Sequence, residues 1–170
     1  MISRKMGARA FIPAALAAAV LFSVAPSTPA AASTTTEAAQ IVRIARAQVG
    51  DRYRYGTAGP YTFDCSGLVI YAYKRAGDGN VLKYAGRSAR SIYYYFRARG
   101  KASRTNPRYG DIVVWGGGTH VGIYIGNGRA VSALTSGVRV HGVFAVTARF
   151  TAYLHTGMNS RYTTGTAPTS

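Results

Sequence analysis

The sequence predicts one α+β domain in which helices come first and a small antiparallel sheet follows. Apolar residues recur with helical spacing in the first half of the chain, whereas short runs in the second half have the composition and alternation of strands. This order is typical of α+β folds rather than of alternating α/β folds. The 170 residues, 48% hydrophobic and 15% charged, suit a single compact core and exclude a disordered protein.

The N-terminal 32 residues have the pattern of a secretory signal peptide. Three basic residues among the first nine precede the apolar stretch Ala10–Ala25, and the small residues Ala30–Ala32 end the segment. The stretch is shorter than the ~20 apolar residues that a membrane-spanning helix requires, so we expect no stable membrane anchor. The pattern predicts a secreted, extracellular protein.

Three helices are predicted between this segment and the sheet. Thr34 and Glu37 fit a capping box for the first helix, and Gly50 would end it. Asp64 is placed to cap a second helix, because its side chain can accept hydrogen bonds from the first free N–H groups. A third helix is predicted over residues 84–100, where arginines alternate with aromatic residues.

Five strands are predicted after the helices. Asn127-Gly128 is a strong turn signal between two of them, and the chain beyond Gly157 is rich in Thr, Ser and Gly. We therefore expect one domain over residues 33–157 and a flexible C-terminal tail over residues 158–170. The predicted strands cover residues 111–115, 120–125, 129–134, 138–143 and 149–155.

The chain is strongly basic. Lys and Arg number 21 against 5 Asp and Glu, which gives a net charge of +16 at pH 7. Such a surface favours polyanionic partners. The arginines around Tyr93–Tyr95 are compatible with a stacking platform for single-stranded nucleic acid, and equally with a helix whose tyrosines pack inward. Because an exported protein meets little nucleic acid, we expect anionic wall polymers rather than nucleic acid as partners.

The single cysteine, Cys65, directly follows the predicted helix cap. One cysteine excludes a disulfide framework and a cysteine-cluster metal site. At a helix start, free N–H groups and the helix dipole favour the thiolate, and the same N–H groups can hold an oxyanion. The alternative is a buried, inert cysteine. The position favours a nucleophile with a lowered pKa.

A general base for such a nucleophile must come from elsewhere in the chain. His120 opens a predicted strand immediately after the glycine-rich run Gly116–Gly118, where another chain can approach closely. His141 and His155, taken alone, are more typical of surface or core histidines. The sequence therefore favours His120 as the partner of the thiol.

Four segments together resemble the NlpC-type cell-wall peptidases, which are papain-like cysteine endopeptidases of bacteria. The similarity extends from about Ala38 to about Val143 and combines an Asp-Cys-Ser-Gly-Leu segment with a later His-Val-Gly-Ile-Tyr segment. The resemblance implies an NlpC-type, papain-like fold and cleavage of peptidoglycan stem peptides, most often between γ-D-glutamate and a diamino acid. The four segments are Tyr53–Gly56, Phe63–Val69, Tyr109–Val113 and His120–Gly128.

The resemblance also implies roles for individual residues. Cys65 would be the nucleophile, and His120 the base that later protonates the leaving amine. Tyr53 would line the pocket on the acyl side of the thiol. Asp64 and Ser66 would hold the free amine at the start of the stem peptide. We expect no cofactor, no metal, and a monomer that is associated with the cell wall.

The third polar residue of the family site is replaced in this chain. The family usually has a histidine or another polar residue where this chain has Ser132. Ser132 shares a strand face with His120 only if a three-residue loop over residues 127–129 pairs it with Tyr124. His141 would lie directly opposite Ser132 if residues 136–137 form a two-residue turn, and would then support or replace it.

Several alternatives stay open at this point. The enzyme would also be able to work as a Cys–His dyad. A catalytically weak or inactive wall-binding module with the same fold, or an exported polyanion-binding or toxin protein, also fits the sequence. A thiol hydrolase or acyl transferase acting on another amide is a further alternative.

Overall fold

The computed structural model describes residues 34–158 and 162–164, and this part of the chain confirms the α+β prediction. Its three α-helices pack on a six-stranded sheet whose neighbouring strands are all antiparallel. The predicted signal peptide lies outside the described residues. The helices are α1 (Glu37–Arg46), α2 (Cys65–Arg75) and α3 (Ala89–Arg97), with a short 3-10 helix over Gly79–Leu82.

The strands include the five expected ones and five short additional ones. In chain order they are β1 (Thr34–Thr36), β2 (Arg52–Tyr53), β3 (Thr62–Phe63), β4 (Ala102–Ser103), β5 (Ile112–Trp115), β6 (His120–Tyr124), β7 (Arg129–Leu134), β8 (Gly137–Gly142), β9 (Phe150–Leu154) and β10 (Tyr162–Thr164). The large sheet has the order β4-β9-β5-β6-β7-β8, while β1 pairs with β10 and β2 with β3. The strand β6, which carries His120, therefore lies inside the sheet rather than at its edge.

The predicted boundaries of two helices are wrong at both ends. Helix α1 is capped by Thr36 rather than Thr34, because residues 34–36 pair with β10, and it ends at Arg46, before Gly50. Helix α3 begins only after Ser88, whose side chain forms a capping box with the third helical residue. The predicted third helix was therefore too long at both ends. Helix α2 begins after Asp64 as expected.

Helix α2 is the central element of the core. Its residues Leu68, Val69 and Ala72 are fully buried against α1 and the sheet. A second buried cluster, which includes Trp115, covers the opposite face of the sheet. Because both faces are covered, the strands β5 and β6 are nearly continuous runs of buried residues rather than alternating ones.

The loop between β6 and β7 determines which face of the sheet carries Ser132. It covers residues 126–128, all three with positive φ, one residue earlier than predicted. Tyr124 consequently pairs with Ala130, and Ser132 lies beside Gly122 instead of opposite Tyr124. The observed pairing differs from the predicted one by two residues. Side chains alternate between the two faces with a period of two residues, so Ser132 still lies on the same face of the sheet as His120. The predicted pairing was wrong, but the predicted face is correct.

The turn between β7 and β8 is also displaced by one residue. Leu134 pairs with Gly137, so the two-residue turn is 135–136 rather than 136–137. His141 therefore pairs with Ala130 and is a diagonal neighbour of Ser132, not its direct partner. The face is again conserved, because diagonal neighbours of an antiparallel pair share a side of the sheet.

Two parts of the predicted C-terminal tail are among the described residues. Met158 is buried, and Tyr162–Thr164 pair with Thr34–Thr36. The remainder of the predicted tail lies outside the described residues. Among the helices of the described segments, none combines the length and apolar character needed to cross a bilayer.

Candidate active site

Cys65 is the first residue of helix α2, and the residue before it organises the helix start. The Asp64 side chain accepts a hydrogen bond from the Gly67 N–H (2.6 Å), and its carbonyl accepts one from the Leu68 N–H (3.0 Å). This leaves the N–H groups of Cys65 and Ser66 to face the sulfur. These two donors form a candidate oxyanion site.

The thiol is less acidic than the sequence predicts. Burial raises the pKa of Cys65 above its ordinary value, and the negative charge of Asp64 acts in the same direction. Hydrogen bonds from the N–H groups of Val121, Ser66 and Cys65 itself lower the pKa, but less than burial raises it. The predicted lowering by the helix start is therefore wrong, because desolvation outweighs the local donors.

His120, at the start of β6, lines the same cleft as Cys65. Burial lowers its pKa to about 4, and the nearby His141 contributes to the shift. At neutral pH the pair therefore consists of a protonated thiol and an uncharged imidazole.

The cleft has two lobes that meet at Cys65. The first, which we call the basic lobe, has a volume of about 300 Å³, and its charged residues among those described are Asp64, Arg87 and Arg90. The second, the neutral lobe, has a volume of about 400 Å³ and includes His120, but no Asp, Glu, Lys or Arg among the described residues. A larger cavity of about 580 Å³, beyond Arg87, does not reach the thiol.

A chain of hydrogen bonds fixes the tautomer of His120. His141 Nδ1 lies 2.9 Å from the carbonyl of Gly142, which can only accept, so Nδ1 carries the proton. In neutral His141, Nε2 then accepts from the hydroxyl of Ser132 at 2.8 Å. The Ser132 oxygen in turn accepts from Nε2–H of His120 at 2.9 Å. This assignment leaves Nδ1 of His120 as the unprotonated nitrogen.

Trp115 supports both imidazoles and was not identified from the sequence. Its ring centroid lies 5.2 Å from that of His120 and 5.6 Å from that of His141. The indole is fully buried and donates to the carbonyl of Val143 at 2.6 Å. Trp115 pairs directly with His120 across the β5–β6 hairpin. A prediction of this hairpin's register from the sequence would have identified Trp115 as a neighbour of His120.

Arg87 is the second site residue that the sequence did not reveal. Its guanidinium donates to both carboxylate oxygens of Asp64, at 3.0 and 2.9 Å. The same carboxylate accepts from the Gly56 N–H at 2.8 Å and from the Ser66 hydroxyl at 3.1 Å, in addition to Gly67. Burial tends to raise the pKa of Asp64, but these donors outweigh it and hold the pKa below its usual value.

The predicted amine anchor is therefore occupied in this structure. Five donors, including both from Arg87, fill the carboxylate of Asp64, and the Ser66 oxygen also accepts from Arg87 at 2.8 Å. A substrate ammonium would bind here only by displacing the guanidinium. Sequence reasoning did not anticipate this competition, because nothing local links residue 64 to residue 87.

Of the remaining residues considered in the sequence, Tyr53 lies at the cleft and His155 does not. Tyr53 lines both lobes next to the thiol. His155 lies apart from the cleft and pairs with Asp111, with 2.7 Å between Nδ1 and the carboxylate. The structure thus brings Cys65, His120, Ser132 and His141 into one connected site.

Comparison with known proteins gives a consistent family assignment. The model of the NlpC/P60 family matches residues 50–164. A Corynebacterium glutamicum (strain R) protein named "Probable endopeptidase" is 35% identical over 125 residues, covering 73% of this chain and 54% of the relative. The chain thus spans about half the length of this curated relative. The Escherichia coli (strain K12) protein "Murein DD-endopeptidase MepH" is 36% identical over 99 residues, covering 55% of this chain and 35% of its own.

Among solved structures, the chain resembles RipD from Mycobacterium tuberculosis with a TM-score of 0.57 and 24% identity. The match covers 71% of this chain and 96% of RipD, which is described as a non-catalytic NlpC/p60 domain protein adapted to peptidoglycan binding. At this identity the match establishes the shared fold.

Proposed function

This chain belongs to the NlpC/P60 family, and on that basis we propose that it is a cysteine endopeptidase that hydrolyses peptidoglycan stem peptides. One observation carries the proposal: Cys65 and His120 share a cleft in which the hydrogen bonds through Ser132 leave Nδ1 of His120 free to accept a proton. A nucleophile, a base and a group that orients the base are the three parts that acyl transfer requires.

The site geometry supports the following sequence of steps. Nδ1 of His120 takes the thiol proton as Sγ of Cys65 attacks the carbonyl carbon, and the N–H groups of Cys65 and Ser66 hold the resulting oxyanion. The imidazolium then gives its proton to the leaving nitrogen as the C–N bond breaks, which leaves a thioester on Cys65. Water, deprotonated by His120, hydrolyses the thioester and restores the thiol.

The two lobes receive different halves of the substrate in this mechanism. Since His120 must protonate the leaving nitrogen, the amine half lies in the neutral lobe, which contains His120. The acyl half then lies in the basic lobe, next to Asp64 and the arginines. Because the Cys65 thiol and the His120 imidazole are both uncharged before the reaction, the proton is transferred during the attack of the sulfur and not before it.

We further propose that Ser132 and His141 act in series as positioning residues. The Ser132→Ala variant should lower kcat/KM about tenfold, the value of one neutral hydrogen bond that holds the productive tautomer. His141→Ala should have a similar but smaller effect, and the double variant should be no slower than Ser132→Ala alone. The measurement is a double-mutant cycle on steady-state kcat/KM.

The conservative variant His141→Gln provides the control for this cycle. Its amide oxygen is able to accept the Ser132 hydrogen bond, so it should recover most of the activity that His141→Ala loses. Additive losses in the double variant, or equal losses for His141→Gln and His141→Ala, would contradict action through Ser132.

The substrate assignment includes a preferred bond. We propose cleavage between γ-D-glutamate and the diamino acid, although MepH, by its name, is a DD-endopeptidase and points to a different bond in the same polymer. The predicted signal peptide and the excess of basic residues, which gives +16 over the full sequence, support action in the cell wall, with retention by anionic wall polymers. Such retention should weaken with salt.

The decisive test is mass spectrometry of the products released from purified cell walls. The mature protein should release stem-peptide fragments whose masses identify the cleaved bond. The Cys65→Ser variant should release these fragments at least about 1000-fold more slowly, as expected when a covalent nucleophile is replaced. Equal release by both proteins would exclude thiol catalysis. Binding of both proteins to walls without release would instead favour the non-catalytic function described for RipD.

A further inference from the structure

One positive charge in the basic lobe has no partner among the residues that the structure describes. Asp64 and Arg87 pair with each other in two hydrogen bonds and neutralise each other's charge. Arg90 lines the same lobe, and within the described segments its guanidinium makes no hydrogen bond or ion pair. The uncompensated charge of the lobe is therefore that of Arg90.

The backbone of Arg90 is held firmly against the loop that precedes His120. Arg90 is the second residue of α3, and the capping box at Ser88 fixes that end of the helix. Gly118 packs so closely that a Cβ at this position would lie 3.0 Å from Cα of Arg90. The Arg90 side chain thus begins at a fixed point beside the cleft, so ligand binding has to order this side chain but not its backbone.

We propose that Arg90 binds a carboxylate on the acyl half of the substrate, and that it makes the protein prefer stem peptides whose γ-glutamyl residue has a free α-carboxylate over those in which it is amidated. The inference rests on the proposed function, which places the acyl half in the basic lobe. A γ-linked glutamyl residue keeps its α-carboxyl group outside the peptide chain. Of the two arginines that line the lobe, Arg90 is the one whose guanidinium is not already engaged by a carboxylate of the described residues.

The physical basis is a charge-assisted hydrogen bond. Arginine binds carboxylates through parallel N–H donors, and an amide can neither carry the charge nor accept two such bonds. Amidation therefore removes the attraction and directs an N–H₂ group toward a cation. Because Arg90 is exposed, solvent screens part of the interaction, and we expect a preference of about tenfold rather than a thousandfold.

The experiment uses two synthetic stem peptides that differ only in an α-carboxylate or an α-carboxamide on the γ-D-glutamyl residue. The wild-type protein should show a kcat/KM about tenfold higher for the carboxylate peptide. Arg90→Gln should bring this ratio close to one, and Arg90→Lys should retain part of it. Arg97→Gln is the matched control, because it removes one charge from the same helix outside both lobes. It should keep the wild-type ratio.

Binding to a Cys65→Ala variant separates this proposal from the proposed function. Calorimetry should give a Kd about tenfold lower for the carboxylate peptide, and the added Arg90→Gln substitution should abolish the difference. If the wild-type protein cleaves neither peptide, the proposed function fails, while the binding ratio still decides the role of Arg90. Equal Kd values for the two peptides, or a preference that persists in Arg90→Gln, would overturn the proposal.

Discussion

Replacing Gly67 with alanine should destabilise the protein by about 3 kcal/mol, the upper range for an overpacked core position. A loss of stability on replacing glycine by alanine is unusual, because alanine in a helix interior is ordinarily about 1 kcal/mol more favourable than glycine. At Gly67, however, a Cβ would lie 2.0 Å from the carbonyl oxygen of Thr57 and 3.0 Å from Cα of Ala58. These are backbone atoms, so the loop itself would have to move.

The displaced loop belongs to the site. The Thr57 carbonyl accepts from the Asp64 N–H at 3.0 Å and from Arg87 at 3.1 Å, so its movement would loosen the start of α2 and the basic lobe together. Activity should therefore fall along with stability, although Gly67 is not expected to touch the substrate.

Urea unfolding followed by circular dichroism provides the measurement for this substitution. Gly79→Ala is the matched control, because a Cβ there meets the side chain and Cα of Lys74 at 3.0 Å or more, and a flexible side chain is able to move. We expect its free energy of unfolding to change by less than about 1 kcal/mol. Equal unfolding midpoints for Gly67→Ala and the wild type would show that the loop moves without loss of stability, and would contradict the prediction.

Alkylation of Cys65 should be slow at neutral pH and should accelerate steeply as the solution becomes alkaline. The thiolate is the reactive form, and burial raises the pKa of this thiol above its ordinary value of 9.0. At pH 6 fewer than about one thiol in a thousand is then ionised, and each pH unit gained should increase the rate tenfold. The measurement is the second-order rate constant with iodoacetamide between pH 4 and 10.

A preformed thiolate–imidazolium pair would give the opposite profile. Its rate would be high and flat between the low pKa of the thiol and the high pKa of the imidazolium. Here burial, followed by the electrostatic interaction with the nearby His141, lowers the pKa of His120 to about 4, so the imidazole of His120 is uncharged at neutral pH and cannot hold a thiolate. The His120→Ala variant should therefore leave the profile nearly unchanged. A plateau that extends below pH 6 and disappears in this variant would contradict the neutral pair.

Local sequence determined the parts of this protein that depend on neighbours in the chain. The Asp64–Cys65 pair fixed both the start of α2 and the position of the proposed nucleophile, because an N-cap acts within three residues. The glycine-rich approach to His120 indicated the proposed base in the same way. The strand faces of Ser132 and His141 were also correct, since side-chain alternation tolerates a register error of two residues.

Only the tertiary structure decided the chemistry of these groups. Burial reversed the expected lowering of the Cys65 pKa, and burial is set by elements far away in sequence. Arg87 reached Asp64 across 23 positions and occupied the expected amine anchor. The sequence determines which groups are present and which way they face locally. Solvent exclusion and long-range pairing determine their charge and availability, because these depend on the whole packed chain.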